Sequence, residues 1–315
     1  MIYFIINPIS GGRRGIRVWQ ELERYLQDEE IPYSYGISQY PKHTVELVHK
    51  AVSQQAQLLV ILGGDGTIQE VVETIASAGY TIPVSVIPAG SGNDFARGLG
   101  VNHQPLQLMD GLLHDPLEEK IDIGLSDQGH FASVLGMGFD AYVVQFANRA
   151  PWKKWLRRFS YLIAVFQAIY YYRPGEYEIE IDGRMVRIHN AWFISVSNHP
   201  FMGGGMMINP QARVNDGELD LCIIHDLPRW KLLFFFPKVY KGTHTELTAY
   251  VSHLRGRLIH IRSAEEQVFH LDGEVKHGKA VHIQCISNAL TLVRPRSLAY
   301  AFHQHEEEKV SMTLN

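Results

Sequence analysis

The stretch Leu58-Leu59-Val60-Ile61-Leu62-Gly63-Gly64-Asp65-Gly66-Thr67 decides how this chain is read. A short apolar run closed by glycines is a buried strand, and the turn after it opens a helix at Ile68. Glycine lets the backbone take positive φ and approach a ligand closely. The unpaired N–H groups at the start of the next helix favour an anion. The segment therefore predicts a phosphate site. A carboxylate such as Asp65 is repelled by phosphates unless a divalent cation lies between them, so the same loop predicts Mg²⁺ alongside a nucleotide. A plain strand-to-helix turn accounts equally well for one isolated glycine loop.

Around this stretch, strand and helix alternate: strand 2 to 6, helix 16 to 29, strand 33 to 37, helix 44 to 54, strand 58 to 62, helix 68 to 78 and strand 84 to 87. Such alternation implies a mostly parallel sheet covered by helices, with ligands at the carboxyl ends of the strands. Two more glycine loops fall there. Asn7-Pro8-Ile9-Ser10-Gly11-Gly12-Arg13-Arg14-Gly15 offers N–H groups, a hydroxyl and two cations to phosphates. Pro88-Ala89-Gly90-Ser91-Gly92-Asn93-Asp94-Phe95-Ala96-Arg97 follows the fourth strand, with Asn93 or Asp94 as N-cap of the next helix. Neither has the Gly-Lys-Ser/Thr of a P-loop, and none of the three has G-x-G-x-x-G spacing. A different nucleotide fold is required.

After about residue 126 the texture changes to period-2 runs: Tyr177 to Ile181, Met185 to His189, Trp192 to Ser197, Glu218 to Ile224, Leu258 to Ile261 and Val281 to Ile286. These predict an antiparallel sandwich or barrel, with Asp182-Gly183 as a hairpin turn. Asp272-Gly273 and Asn215-Asp216-Gly217 are also turns by local chemistry. At 315 residues and 46% apolar the chain can build a substantial core. A net charge of −4, without a zinc finger or a basic recognition helix, argues against nucleic-acid binding. Cys222 and Cys285 sit in strand-like runs without Cys or His at ligand spacing and read as buried thiols. His189, His260, His270 and His282 lie within strands, also without metal spacing. Met1 leads straight into a strand and no apolar run reaches bilayer length, which gives a cytosolic, reduced expectation. The tail after 303 reads as a frayed polar end.

Gly63-Gly64-Asp65-Gly66-Thr67 together with Pro88 to Arg97 resembles the catalytic domain of the diacylglycerol kinase and sphingosine kinase family, above all its bacterial soluble lipid kinases. The likeness continues through Gly136-Met137-Gly138-Phe139-Asp140, Asn215-Asp216-Gly217 and Leu271-Asp272-Gly273-Glu274. It implies an α/β nucleotide-binding domain over residues 1 to 125, an antiparallel β-sandwich over 126 to 287, and a return of the chain to the first domain from 288. It places ATP contacts on Asn7, Pro8, Ile9, Ser10 and Gly11, on Ser38, on Gly64, Asp65, Gly66, Thr67, Ile68, Gln69 and Glu70, and on Ser91. The family often has Asn at the position of Gln69 and Thr at those of Ser38 and Ser91; each replacement keeps a hydrogen-bonding group. A family Lys is replaced by Gly12, which leaves Arg13 or Arg14 to supply the charge. Asp272 is implied as proton acceptor, in a metal-linked network with Glu274, Asp122 and Asp65. The resemblance also implies a structural Mg²⁺ held by the Asp216 side chain and the carbonyls of Arg213 and Glu218.

The expected function is an ATP- and Mg²⁺-dependent lipid kinase acting on a lipid hydroxyl, with diacylglycerol as first choice of acceptor. An NAD kinase-like enzyme or a catalytically silent lipid-binding regulator is the alternative. The partner is a lipid at the membrane surface, with a homodimer as one expectation for assembly. Pro151-Trp152-Lys153-Lys154-Trp155-Leu156-Arg157-Arg158-Phe159 interleaves aromatics with four cations, a composition suited to peripheral contact with an anionic inner leaflet. Leu232-Leu233-Phe234-Phe235-Phe236-Pro237-Lys238 is expected in the core.

Overall fold

The computed structural model describes residues 1–101, 104–149 and 169–297. The segment 151–159 and the tail after 303 therefore lie outside the described residues. The chain divides into two compact units. One holds Met1–Asp122, Gly203–Gly205 and the residues from Asn288 on; the other holds Ile123–Met202 and Met206–Ser287.

The first unit runs β1 (Ile2–Ile6), α1 (Ser10–Asp28), β2 (Tyr33–Ile37), α2 (His43–Ser53), β3 (Leu58–Gly63), α3 (Asp65–Ala78), β4 (Val84–Pro88), α4 (Asp94–Gly98) and α5 (Pro105–His114). Its strands lie in the order β4-β3-β1-β2, all parallel, and Leu292 of the chain's last strand pairs beside Val84. Leu59 to Leu62 are fully buried, as a parallel strand covered on both faces requires, and this is why the run is unbroken by polar residues. Trp19 of α1 packs at a tilt against Phe4 and meets Tyr33 edge-on, anchoring α1 to the sheet. One boundary differs from the sequence reading. Helix α3 starts at Asp65 with Gly64 as its extended N-cap, three residues before Ile68. A carboxylate in the first turn is favoured by the helix dipole, so Asp65 helps to begin the helix it was expected to precede.

The second unit contains part of β5 (Pro116–Ser126), then β6 (Gly129–Phe131), β7 (Val134–Gly138), α6 (Phe139–Arg149), β8 (Gly175–Ile181), β9 (Arg184–Ser197), β10 (Phe201–Met202) and β11 (Met206–Met207). β12 (Leu219–His225), α7 (Leu232–Lys241), β13 (Val251–Gly256), β14 (Leu258–Leu271) and the early part of β15 (Glu274–Pro295) complete it. Pairing among β7, β8, β9, β12, β13, β14 and β15 is antiparallel. Two long strands close the sandwich. β9 pairs with β8 through its first half and with β7 and β12 through its second. β14 pairs with β8 over Ile259 to Arg262 and with β7 over Phe269 to Leu271, and its register with β15 breaks between Arg262 and Gln267. A bulge of this kind bends a strand enough to pair with β8 at one end and β7 at the other.

Tyr177, Ile179 and Ile181 point into the core while Glu178 and Glu180 take the other face, the period-2 alternation that made the strand legible. Asp182-Gly183 and Asp272-Gly273 both have positive φ, at 47° and 81° and at 47° and 92°, the geometry of two-residue hairpin turns. A second apolar cluster lies under α6 and α7, where Phe139, Trp192, Phe193, Ile224 and Phe235 pack together. Leu232 and Phe235 are buried there, whereas Phe234 is 71% exposed. Both cysteines are buried and neither forms a disulfide. Among the described residues no helix is long and apolar enough to cross a membrane.

Candidate active site

In the first unit β1, β3 and β4 are neighbours running the same way, so the loops at their carboxyl ends must meet. Asn7 donates its side-chain amide to the Thr67 hydroxyl at 2.9 Å, tying the first loop to the second. The second and third loops touch backbone to backbone: a Cβ on Gly90 would lie 2.5 Å from the Gly64 Cα, and one on Gly64 2.9 Å from the Gly90 Cα. Gly11 closes the set, since a Cβ there would lie 2.3 Å from the Ala89 carbonyl oxygen. Gly11, Gly12 and Arg13 are left-handed in succession, with φ of 55°, 70° and 72°, so regular helix begins only after them. Ser10 borders the Gly64 contact, Ile9 is exposed, and Pro8 follows Asn7 on the same loop. Ser38 donates its N–H to the Ile6 carbonyl at 2.9 Å, which places it at the mouth of β2. Gly66 and Ser91 are exposed, Gln69 and Glu70 half-buried, and Thr67 and Ile68 buried. The expected nucleotide residues are thus gathered on one edge of one sheet, with the N-terminus of α3 opening toward it.

The third loop is built differently from a simple helix cap. Asn93 is left-handed at φ 55° and makes no capping hydrogen bond to α4. Its side chain instead exchanges two bonds with Gly90, accepting the N–H at 2.8 Å and donating to the carbonyl at 3.1 Å. Asp94 pairs with Arg97 at 2.6 Å and accepts the Gly204 N–H at 2.6 Å. Arg97 also donates to the Gly92 carbonyl at 3.2 Å. Asp65 accepts the Phe95 N–H at 3.1 Å. Burial pushes the Asp94 carboxyl above its ordinary range, and the charge of Asp65 adds to the push, while the Gly204 N–H and Arg97 oppose it.

Two carboxylates flanking Gly92 are what a hard divalent cation takes as oxygen ligands. A Cβ on Gly92 would sit 2.9 Å from Asp65 Oδ2 and 3.5 Å from Asp94 Oδ2, so glycine keeps the space between them open. Asp65, one oxygen of which accepts the Phe95 N–H, fits Mg²⁺, with Asp94 beside it already engaged by Arg97 and the Gly204 N–H. Asp94 and Arg97 were not among the expected site residues; their i, i+3 spacing at a helix start was the available signal. Asp122 is buried and accepts the Asn288 N–H at 2.8 Å.

In the second unit Asp272 occupies the first turn position between β14 and β15, and its carboxylate gathers three backbone N–H groups. Ala132 donates to Oδ2 at 2.7 Å, Val134 to Oδ1 at 2.7 Å, and Ser133 reaches both oxygens at 3.2 Å and 3.1 Å. Burial raises its pKa to about 6 despite these donors and the nearby His270. The turn reading of Asp272 holds, and the residue that shapes the hairpin carries the carboxylate expected to accept the proton. Glu274 is exposed and pairs with Lys276 at 3.3 Å. His270, 5% exposed, donates Nε2 to Asp140 at 2.7 Å and accepts the Gly273 N–H on Nδ1 at 3.1 Å, so it braces the same turn.

At the other turn, Asp216 accepts the Glu218 N–H at 3.1 Å and is ion-paired to Arg255. Arg255 also reaches Glu218 at 3.3 Å and Asp220 at 3.3 Å. The guanidinium thus supplies the positive charge that a structural Mg²⁺ was expected to bring to Asp216, Glu218 and the Arg213 carbonyl. The Asp216 carboxylate expected to hold the cation is shared here with Arg255.

Residues 1–125 match the family model described as the diacylglycerol kinase catalytic domain, and residues 133–294 that of the YegS C-terminal NAD kinase beta sandwich-like domain. YtlR of Bacillus subtilis, which carries a lipid kinase name, is 30% identical over 87% of this chain and 93% of its own. A diacylglycerol kinase of Mycobacterium tuberculosis is 29% identical over 93% and 94%. A Bacillus anthracis crystal structure bearing a diacylglycerol kinase name superposes at TM-score 0.77 with 20% identity, covering 94% of this chain and 98% of that one. An Archaeoglobus fulgidus NAD kinase in complex with ATP shares the fold more distantly, at TM-score 0.52 and 13% identity over 96% and 98%.

Proposed function

Because the chain belongs to the diacylglycerol kinase-like family of lipid kinases, we propose that it transfers the γ-phosphoryl group of ATP to the hydroxyl of diacylglycerol, giving phosphatidic acid. The observation that carries this reading is the meeting of three glycine loops at Gly11, Gly64 and Gly90, with Asp65 and Asp94 flanking Gly92. N–H groups and hydroxyls of Asn7 to Gly11, Ser38, Gly64 to Glu70 and Ser91 hold the nucleotide, and Arg13 or Arg14 balances phosphate charge. Asp65, with Asp94 beside it, would hold Mg²⁺, which would supply neutralisation of phosphate charge. Asp272 accepts the hydroxyl proton, the freed oxygen bonds to the γ-phosphorus, and the bond to the bridging oxygen breaks to leave ADP. A carboxyl with pKa about 6 is ionised at neutral pH and basic enough for that proton.

Beneath α6 and α7 lies a small cavity of about 60 Å³ lined by Phe139, Asp140, Trp192, Met206, Ile224 and Phe235, with room for no more than the end of an acyl chain. Such a lining suits an acyl chain and offers little to a dinucleotide. Residues 151–159 bring the enzyme to the anionic surface where the acceptor resides.

The test is transfer from γ-labelled ATP, with Mg²⁺, to diacylglycerol in mixed micelles, beside parallel reactions with other lipid alcohols and with NAD. Label in phosphatidic acid is the expected result. Label in another lipid moves the acceptor but keeps the lipid kinase; label in NAD alone, or ATP binding without transfer to any acceptor, overturns the reading.

A further inference from the structure

The second unit contains a cluster that none of the phosphoryl chemistry uses. Cys222 on β12 and His253 on β13 are directly opposite in the antiparallel register, which brings their side chains to one face about 5 Å apart at Cβ. His244, on the short 3-10 helix Thr243–Glu246, meets this pair. One ligand atom from each of the three lies within 4.8 Å of the other two. Cys222 and His244 are fully buried, while His253 is exposed and leaves one side accessible.

Hydrogen bonding alone does not satisfy this group. His244 Nε2 is 3.0 Å from the Ile208 carbonyl and 3.9 Å from Cys222 Sγ. Donating to the carbonyl, it has no lone pair for the thiol proton; accepting the thiol, it abandons the carbonyl. In either tautomer Nδ1 is buried without a partner. Unmatched buried polar atoms cost stability unless something occupies them. A metal-bound imidazole usually coordinates through one nitrogen and donates the other to a carbonyl or carboxylate, and Ile208 stands ready for that second role. With Nε2 donating to Ile208, the buried and partnerless Nδ1 is the nitrogen left to coordinate.

We propose that Cys222, His244 and His253 form a binding site for a borderline-soft divalent cation of the zinc class, separate from the Mg²⁺ chemistry of the glycine loops. On binding, the Cys222 thiol gives its proton to solvent and the thiolate bonds to the metal, so one proton leaves for each ion taken up. A thiolate and two imidazoles leave a fourth position for water on the side of His253. The ion would pin the short 3-10 helix to β12 and β13, a structural role rather than one in phosphoryl transfer.

Co²⁺ is the probe, added to the reduced, chelator-treated full chain without nucleotide. One equivalent is expected to give a thiolate-to-cobalt charge-transfer band with visible bands of four-coordinate intensity, displaced by Zn²⁺, and Zn²⁺ is expected to raise the melting temperature. Cys222→Ser should abolish the charge-transfer band while Cys285→Ser keeps it. His253→Ala, at an exposed position, should leave the metal-free melting temperature unchanged and weaken Co²⁺ binding at least ~10-fold. That variant preserves the test if Cys222→Ser does not fold. Absence of the band in the unmodified chain, its persistence in Cys222→Ser, or unchanged affinity in His253→Ala each overturns the site.

Discussion

Replacing Asp272 by Asn tests chemistry and architecture in one protein. The carboxylate serves three N–H groups, with the shortest contacts at 2.7 Å to Ala132 on one oxygen and 2.7 Å to Val134 on the other. An amide keeps one acceptor oxygen and turns an NH₂ toward the remaining terminal N–H, so one backbone donor faces a donor. An unmatched buried N–H costs ~1–3 kcal/mol, and loss of the ionised acceptor weakens the bonds that remain. Relief of the carboxylate's own burial offsets part of this. A net loss of about 1–3 kcal/mol is expected, which at ~2–4 °C per kcal/mol lowers the melting temperature by roughly 5 °C. Turnover, measured well below both melting temperatures, should fall at least ~10²-fold because the proton acceptor is gone.

The pH profile separates the two effects. The base must be ionised, so the parent rate should rise with pH and level off above about 6, and Asp272→Asn should lack that limb. The sign for stability is opposite: a carboxyl raised from 3.8 to about 6 on folding stabilises fully below 3.8, and that contribution is lost as pH climbs through 6. Near-parental turnover would refute the base, and an unchanged melting temperature would refute the anchoring of Ala132 to Val134.

Asp65→Ala should cut turnover at least ~10²-fold and remove the Mg²⁺ dependence of ATP binding; calorimetric titration with and without Mg²⁺ checks it, and an unchanged Mg²⁺ effect would exclude Asp65 as a ligand. Gly11→Ala combines φ 55° with a Cβ 2.3 Å from the Ala89 oxygen, whereas Gly12→Ala has φ 70° but meets nothing within 4 Å. Both bear the left-handed cost of ~1–2 kcal/mol, so a larger fall in melting temperature and a rise in KM for ATP are expected at Gly11 alone, and equal effects would deny that the first and third loops interlock. Asp216→Ala removes a partly exposed pair with Arg255 and should cost no more than ~1 kcal/mol. Its Mg²⁺-dependent thermal shift should match that of the parent; abolition of the shift would restore a cation at that turn.

The strands were legible because burial on both faces leaves an unmistakable record in β3, and alternation an equally clear one in β8. Turn chemistry gave both Asp-Gly hairpins. Sequence reasoning placed the start of α3 too late because glycines are poor helix formers, yet here Gly66 occupies the first turn, where interior penalties do not apply. It made Asn93 or Asp94 a cap, and Asn93 does hold the N-cap position of α4, but residue type speaks only for local bonds and its side chain turns elsewhere. The real partners, Gly90 for Asn93 and Gly204 for Asp94, depend on how the chain returns. The same limit hid the donors to Asp272 from residues 132 to 134 and the Arg255 ion pair with Asp216. Ligand-spacing rules passed over Cys222 for that reason: its neighbours are 22 and 31 positions away along the chain and adjacent only through a strand register and a covering turn.

The contact between Gly64 and Gly90 has a dynamic consequence. Two main chains that meet with no side chain between them have no rotamer to absorb a displacement, so neither loop can open without dragging the other. Amides of Gly64 to Thr67 and of Gly90 to Asn93 should then exchange with solvent in one cooperative opening, with a shared free energy. Whatever orders the second loop also orders the third, and a nucleotide gripped by one would find the other already in place.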